Sequence, residues 1–228
     1  MEISVKQNIK SCITGLFCVI LVLLVFGHGA DADEKCHKGA NDPNELLRSR
    51  WDATIKDAND PNELLRAKWD AVITVVQNKE LDKALKKKII DIIISPIFDS
   101  GLMAKLVLGR THWPKLTAPQ QKRFTELFIE RIKSFYLDKT TLYNNEKVLF
   151  KPAIQKKNAL HIPMVLISSD KEVAILYKLY KMKGCWKVYD VEIQGVSILL
   201  TYRSQFDDIL RRGTVEDLLL DLEKPAAR

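Results

Sequence analysis

The sequence predicts an α+β fold, with N-terminal helices packed on a C-terminal antiparallel sheet of about four strands. Two observations carry this. Between Asp60 and Lys139 apolar residues recur at intervals of three and four, the period of amphipathic helices. Beyond Asn144 the chain changes to short runs rich in β-branched and aromatic residues, separated by turn signals. The 228 residues divide into an export signal (1–32), an extension carrying a duplicated helix segment (33–59), one α+β domain (60–223) and a short disordered tail (224–228).

The N-terminus reads as a signal peptide. Lys6 and Lys10 precede Ile13–Phe26, a nearly continuous apolar run without charge, and Ala30-Asp31-Ala32 offers a small-x-small cleavage site. The run is shorter than the ~20 apolar residues of a spanning helix. The flanks favour cleavage; an uncleaved run, making the protein a membrane-tethered scaffold, is the alternative. Glu2, Lys6, Lys10 and Asp31 sum to zero, so the mature chain keeps the full net charge of +7. Such a surplus suits anionic membrane surfaces or acidic partners. Export argues against nucleic acid. Cys36 and Cys185 survive cleavage; one bridge and two free thiols are both open.

Ala40–Asp57 is repeated by Ala58–Val75 at 13 of 18 positions. Each copy opens as a helix, with Asp42 or Asp60 as N-cap, Pro43 or Pro61 first and Glu45 or Glu63 third. Leu64, Leu65, Trp69 and Ile73 share a face, and Val72, Val75 and Val76 lengthen the second stripe. Asp60–Gln77 is therefore the core-docked helix, and the first copy is peripheral. Asn78–Ser95 reads as an amphipathic helix with lysines on one side, stopped by Pro96. Phe98–Gly109 reads as another, ending at glycine. Thr117-Ala-Pro-Gln120 is a capping box that launches a long helix from Pro119 to about Lys139, striped by Phe124, Leu127, Phe128 and Ile132.

Val148–Ile154, Leu160–Ile167, Val173–Met182 and Trp186–Ile193 read as the strands. Ser168–Lys171 and Lys183-Gly184 supply hairpin turns. Val196–Arg212 returns to helical period and closes at Gly213, and Thr214–Asp217 caps a last helix to about Leu222.

Support for catalysis is thin. His37, His112 and His161 are scattered without ligand spacing, and Gly195-Val-Ser197 is not a nucleophile elbow. No enzyme activity, cofactor or metal is expected. Asp190 stands inside an apolar strand, where a carboxylate needs a partner. Arg203 on the next helix is the candidate for a structural ion pair. A general base in an enzyme cavity is the alternative role.

Cys185–Phe206 is the most specific segment. Its Trp186-Lys-Val-Tyr-Asp-Val191, Gly195-Val-Ser197 and Tyr202-Arg-Ser-Gln-Phe206 resemble the signature of the periplasmic phospholipid-binding carriers of the lipid-asymmetry (MlaC, toluene-tolerance) transport system. Pro96-Ile-Phe98-Asp99, Leu106-Val-Leu-Gly109-Arg110 with Trp113, and Thr117–Tyr136 resemble further elements of that family, although Ala118 is inserted before the proline. The similarity runs over Asp60–Leu222.

This resemblance implies a loosely NTF2-like fold with an apolar lipid cavity, in the periplasm. It implies a carrier of phospholipid as cargo, without chemistry of its own. Its partners would be an inner-membrane ABC transporter complex, with its substrate-binding membrane protein, and an outer-membrane lipoprotein complex. An NTF2-like enzyme using Asp190 is the rival. Exposing acyl chains costs about 0.8 kcal/mol per methylene, so a carrier must supply a dry pocket. Strand alternation offers Tyr189, Val191 and Ile193; Ile175, Tyr177 and Leu179; and Val165 and Ile167 as lipid-binding candidates. Tyr136, Val196 and Leu200 would close the pocket from the helices.

Overall fold

Asp60 caps the first helix, its carboxylate accepting the Asn62 N–H at 2.8 Å, and Pro61 occupies the first turn. The computed structural model describes residues 60–137, 146–167 and 171–224. The expected signal, the first repeat copy, Cys36, the Ser168–Asp170 part of a turn and the tail beyond 224 lie outside the described residues.

Helix α1 (Pro61–Gln77) buries Leu65, Lys68, Trp69, Val72 and Val75, the face its spacing predicts. Helix α2 (Lys83–Ile94) starts later than the sequence suggests. The Asn78 side chain accepts the Glu80 N–H and makes a turn, leaving Asp82 to cap the helix through the Leu85 N–H. A 3-10 turn (Ser95–Ile97) follows at Pro96. In α3 (Ser100–His112), capped by Asp99, the first helical stretch ends at Gly109, where the sequence places its end, and a short further turn to His112 follows the kink. Gly109 takes φ +64°, ψ −171°, a kink closed to side-chain-bearing residues. Helix α4 (Ala118–Leu137) begins with the expected box: the Thr117 N–H donates to Gln120 Oε1 at 2.9 Å.

The sheet holds six strands, in the order β1-β3-β4-β5-β6, with β2 also on β3. They are β1 (Lys147–Phe150), β2 (Ile154–Lys156), β3 (Ala159–Ile167), β4 (Glu172–Met182), β5 (Cys185–Ile193) and β6 (Val196–Ser197). Every strand pairing is antiparallel. The single strand expected over Val148–Ile154 is divided. Pro152 offers no N–H, and beside it the Lys151 N–H donates to the Pro163 carbonyl at 2.9 Å. Val196 and Ser197, expected in the next helix, form β6 instead. Ser197 accepts the Leu200 N–H and caps α5 (Ile198–Arg212). Thr214 and Asp217 form a capping box for α6 (Val215–Glu223).

The helices cover one sheet face. Leu160, Ile162, Met164 and Leu166 of β3 point to it, as do Val173, Ile175, Tyr177 and Leu179 of β4. Phe124 and Phe128 of α4 meet Phe206 of α5 at ring separations of 5.6 and 5.8 Å, joining the helices over the core. The α2–α3 connection lies along the first half of β5. Phe98 bridges Val188, and the Asp99 N–H donates to the Val188 carbonyl at 3.0 Å. Asp99 also accepts from the Tyr180 hydroxyl, so one carboxylate fastens both α3 and β4. Cys185 is disulfide-bonded.

Candidate functional site

A slot separates α1 and the end of α2 from the centre of the sheet. Leu65, Lys68, Trp69 and Val72 line it from α1, Ile94 and Ile97 from α2 and its 3-10 turn, and Tyr177 from β4. Measured as space open to a water's centre, it is about 10 Å³, room for one water. Across it the Trp69 indole Nε1–H donates to the Tyr177 hydroxyl at 2.9 Å. Tyr177 is 1% exposed, and burial holds its phenol far above the ordinary range. Lys68, also part of the lining, is 4% exposed. As it stands, the cavity admits a single water beside the Trp69–Tyr177 pair.

Of the residues expected in a pocket, Tyr177 alone lines this slot. Ile175, Leu179 and Val191 share its buried sheet face, and Ile193, opposite Ile175, lies half-buried at the margin. Val165 and Ile167 pair with Ala174 and Glu172 and point away from the helices. Tyr189 departs from the expected alternation. The register shifts between Lys178 and Leu179, so Asp190 pairs with Lys178 while Val188 pairs with Leu179. Tyr189 is the extra residue of this β-bulge, and Val188 takes the core position. Its ring instead stands edge-on to Tyr180 at 6.1 Å. Val196 and Leu200 are 48% and 63% exposed, away from the slot. The Tyr136 side chain lies outside the described residues.

Sequence reading missed Leu65, Lys68, Trp69, Val72, Ile94 and Ile97 as a lining. The helical stripe of α1 marks the first four as inward, but no sequence signal distinguishes a lining from a closed core.

Asp190 is buried, as expected, but not against Arg203. Its carboxylate accepts from Ser197 Oγ at 2.8 Å, Lys178 Nζ at 3.0 Å and the Leu199 N–H at 3.3 Å. The β4–β5 register places Lys178 directly across from it. Burial alone would lower the Lys178 pKa, but hydrogen bonds and charge from Glu192 and Asp190 outweigh it and leave the ammonium raised. Arg203 sits on the α5 face that meets α3. It pairs with Asp207 at 3.9 Å and lies against Gly109, where a Cβ would stand 2.6 Å from its Nη2. Two motifs read separately in the sequence, around Gly109 and Arg203, thus meet in space. His112 turns to Asp207 at 3.3 Å. Among the described residues no three His, Cys, Asp or Glu side chains are grouped to hold a metal. No helix of the described residues is long and apolar enough to cross a membrane.

A family model described as MlaC protein matches residues 66–224. That is well over half of the chain, which belongs to this family. The chain is similar to the toluene tolerance protein ttg2D of Pseudomonas putida, with 28% identity over 53% of this chain and 57% of that protein. It is likewise similar to the intermembrane phospholipid transport system binding protein MlaC of Haemophilus influenzae, with 26% identity over 54% of this chain and 59% of that protein. The matches thus span less than two thirds of either curated relative. In fold it is similar to the phospholipid-binding protein from Ralstonia solanacearum, solved in complex with a phospholipid. The TM-score is 0.65 at 24% identity, over 72% of this chain and 95% of that one.

Proposed function

We propose that this protein is a periplasmic phospholipid carrier, exported by a cleaved signal at residues 1–32. It receives lipid from one membrane-bound complex and delivers it to another, without chemistry. The family match over residues 66–224 carries this reading. Its support also includes a relative named for intermembrane phospholipid transport and a protein of the same fold solved with phospholipid. The partners are an inner-membrane ABC transporter complex, with its substrate-binding membrane protein, and an outer-membrane lipoprotein complex. The net charge of +7 favours acidic docking surfaces.

We place the route on the helix-facing side of the sheet. Acyl chains enter between α1–α2 and the sheet face of Ile162, Met164, Ile175, Tyr177, Leu179 and Val191. Ligand pockets run to several hundred Å³, so α1 and α2 must part from the sheet to admit cargo. The contact they break is mainly apolar, with Trp69–Tyr177, Lys68, Arg66 over the Phe150 ring at 5.2 Å and Asp91–Lys133 at 3.2 Å as its polar and charged parts, and lipid chains replace the apolar part with a surface of the same kind. Asp190, the group an enzyme would use, is engaged by Lys178, Ser197 and the start of α5.

Transfer between vesicles tests the proposal. Donor vesicles carry a self-quenched fluorescent phospholipid, and acceptor vesicles carry none. The protein should accelerate dequenching in proportion to its concentration. A rate equal to that in buffer alone contradicts the proposal.

A further inference from the structure

The Trp69–Tyr177 pair is polar chemistry at the centre of an apolar face. The indole has only a donor, so in this bond the phenol oxygen is the acceptor. Tyr177 therefore keeps its own O–H, which reaches no acceptor among the described residues. The residue is 1% exposed. A phenylalanine would fill the same volume without a polar group to satisfy. The hydroxyl borders the slot between α1 and the sheet, whose other lining is Leu65, Val72, Ile94 and Ile97 together with Trp69 and Lys68.

From this geometry we infer that Tyr177 is a specificity-determining residue for the cargo: its O–H donates to an acyl ester carbonyl of the bound lipid. The inference rests on the carrier reading. A donor set in a hydrocarbon slot is matched by an acceptor that travels with hydrocarbon chains. In a diacyl phospholipid the ester carbonyls are the acceptors next to the tails, whereas phosphate and head group lie further out in water. A phospholipid with ether-linked chains has the same length and head group but no carbonyl. It leaves the buried donor unmatched, and selectivity built on such a group exceeds what hydrophobic fit provides.

The test is competitive loading of the full chain. Protein is equilibrated with vesicles holding equal amounts of ester- and ether-linked phosphatidylethanolamine with matched chains. It is then separated, and both lipids are counted by mass spectrometry. One neutral hydrogen bond predicts an ester preference of about fivefold. Tyr177→Phe should bring the ratio to about one. Trp69→Phe, which keeps the O–H, should retain a preference. Tyr177→Phe strands the Trp69 N–H. The double variant Tyr177→Phe/Trp69→Phe leaves no orphaned group and should also show a ratio of about one.

Equal loading of both lipids by the unaltered protein overturns the inference and leaves the carrier reading intact. A single water as the hydroxyl's partner would give that result. A preference that survives in the double variant overturns it equally. No loading of either lipid removes the carrier reading and this inference together.

Discussion

Asp190→Asn tests whether the buried carboxylate is structural or chemical. In the folded protein Asp190 accepts three hydrogen bonds, from Ser197, Lys178 and the backbone at the start of α5. Asparagine has one acceptor oxygen and a donating NH₂. It can keep either the Leu199 N–H or the Ser197 hydroxyl, but it sets its NH₂ against a donor. The Lys178 ammonium loses one of its two anions and keeps Glu192. Breaking a buried ion pair outright costs about 3–5 kcal/mol. Because Glu192 remains, the expected loss is about 2–3 kcal/mol. At about 2–4 °C per kcal/mol for a domain of this size, the midpoint falls by roughly 5–10 °C. Urea unfolding followed by circular dichroism reads the loss. Adding Lys178→Met removes the stranded ammonium, so the double variant should lose less than the sum of its singles. A single-variant loss below about 0.5 kcal/mol, or strict additivity in the double, would refute the pairing. Normal stability with loss of a measurable turnover would point instead to the enzyme alternative.

Gly109→Ala must place a side chain at φ +64°, ψ −171°. The Arg203 tip can swing aside, so the backbone dominates and the expected loss is about 2–3 kcal/mol. Thermal unfolding checks it, and Arg203→Ala should not restore the lost stability. Burial raises the Tyr202 phenol to about 12. The neutral form is the one the fold favours, so its contribution is complete below pH ~10 and is lost as pH rises toward 12. Tyr202→Phe should therefore show a smaller fall in urea midpoint between pH 9 and pH 11 than the unaltered protein. Val191→Asp buries a carboxylate on the helix-facing side and should abolish folding or lipid loading. Val165→Asp, on the opposite face, should change stability by less than about 1 kcal/mol, and lipid co-purification from the two variants distinguishes the faces.

Helix starts were legible because short-range chemistry sets them. Asp60-Pro61, Thr117 with Gln120, and Thr214 with Asp217 all act as caps where their spacing places them. The late start of α2 was not legible because Asn78 and Asp82 compete as caps four residues apart, and only the fold chooses between them. Hairpin β4–β5 was legible from Lys183-Gly184, whose φ values of +48° and +89° suit a tight turn. The bulge at Tyr189 was not, because an extra residue inside an alternating strand leaves no mark in composition. That one insertion reversed the expected side for Tyr189 and set the partner of Asp190. Val165 and Ile167 show the complementary difficulty. Both faces of β3 carry apolar residues, so alternation alone does not say which faces the helices. The slot combines residues more than 100 positions apart, Trp69 and Tyr177 among them, and long-range juxtaposition of this kind has no local signature.

Native mass spectrometry tests the central claim most directly. The protein is expressed as the full 228-residue chain, purified without detergent, and its bound molecules are then extracted and identified. The carrier account predicts a mature species beginning at Asp33 with phospholipid bound in stoichiometric amount and released only on denaturation. A lipid-free protein that also takes no phospholipid from vesicles would contradict it.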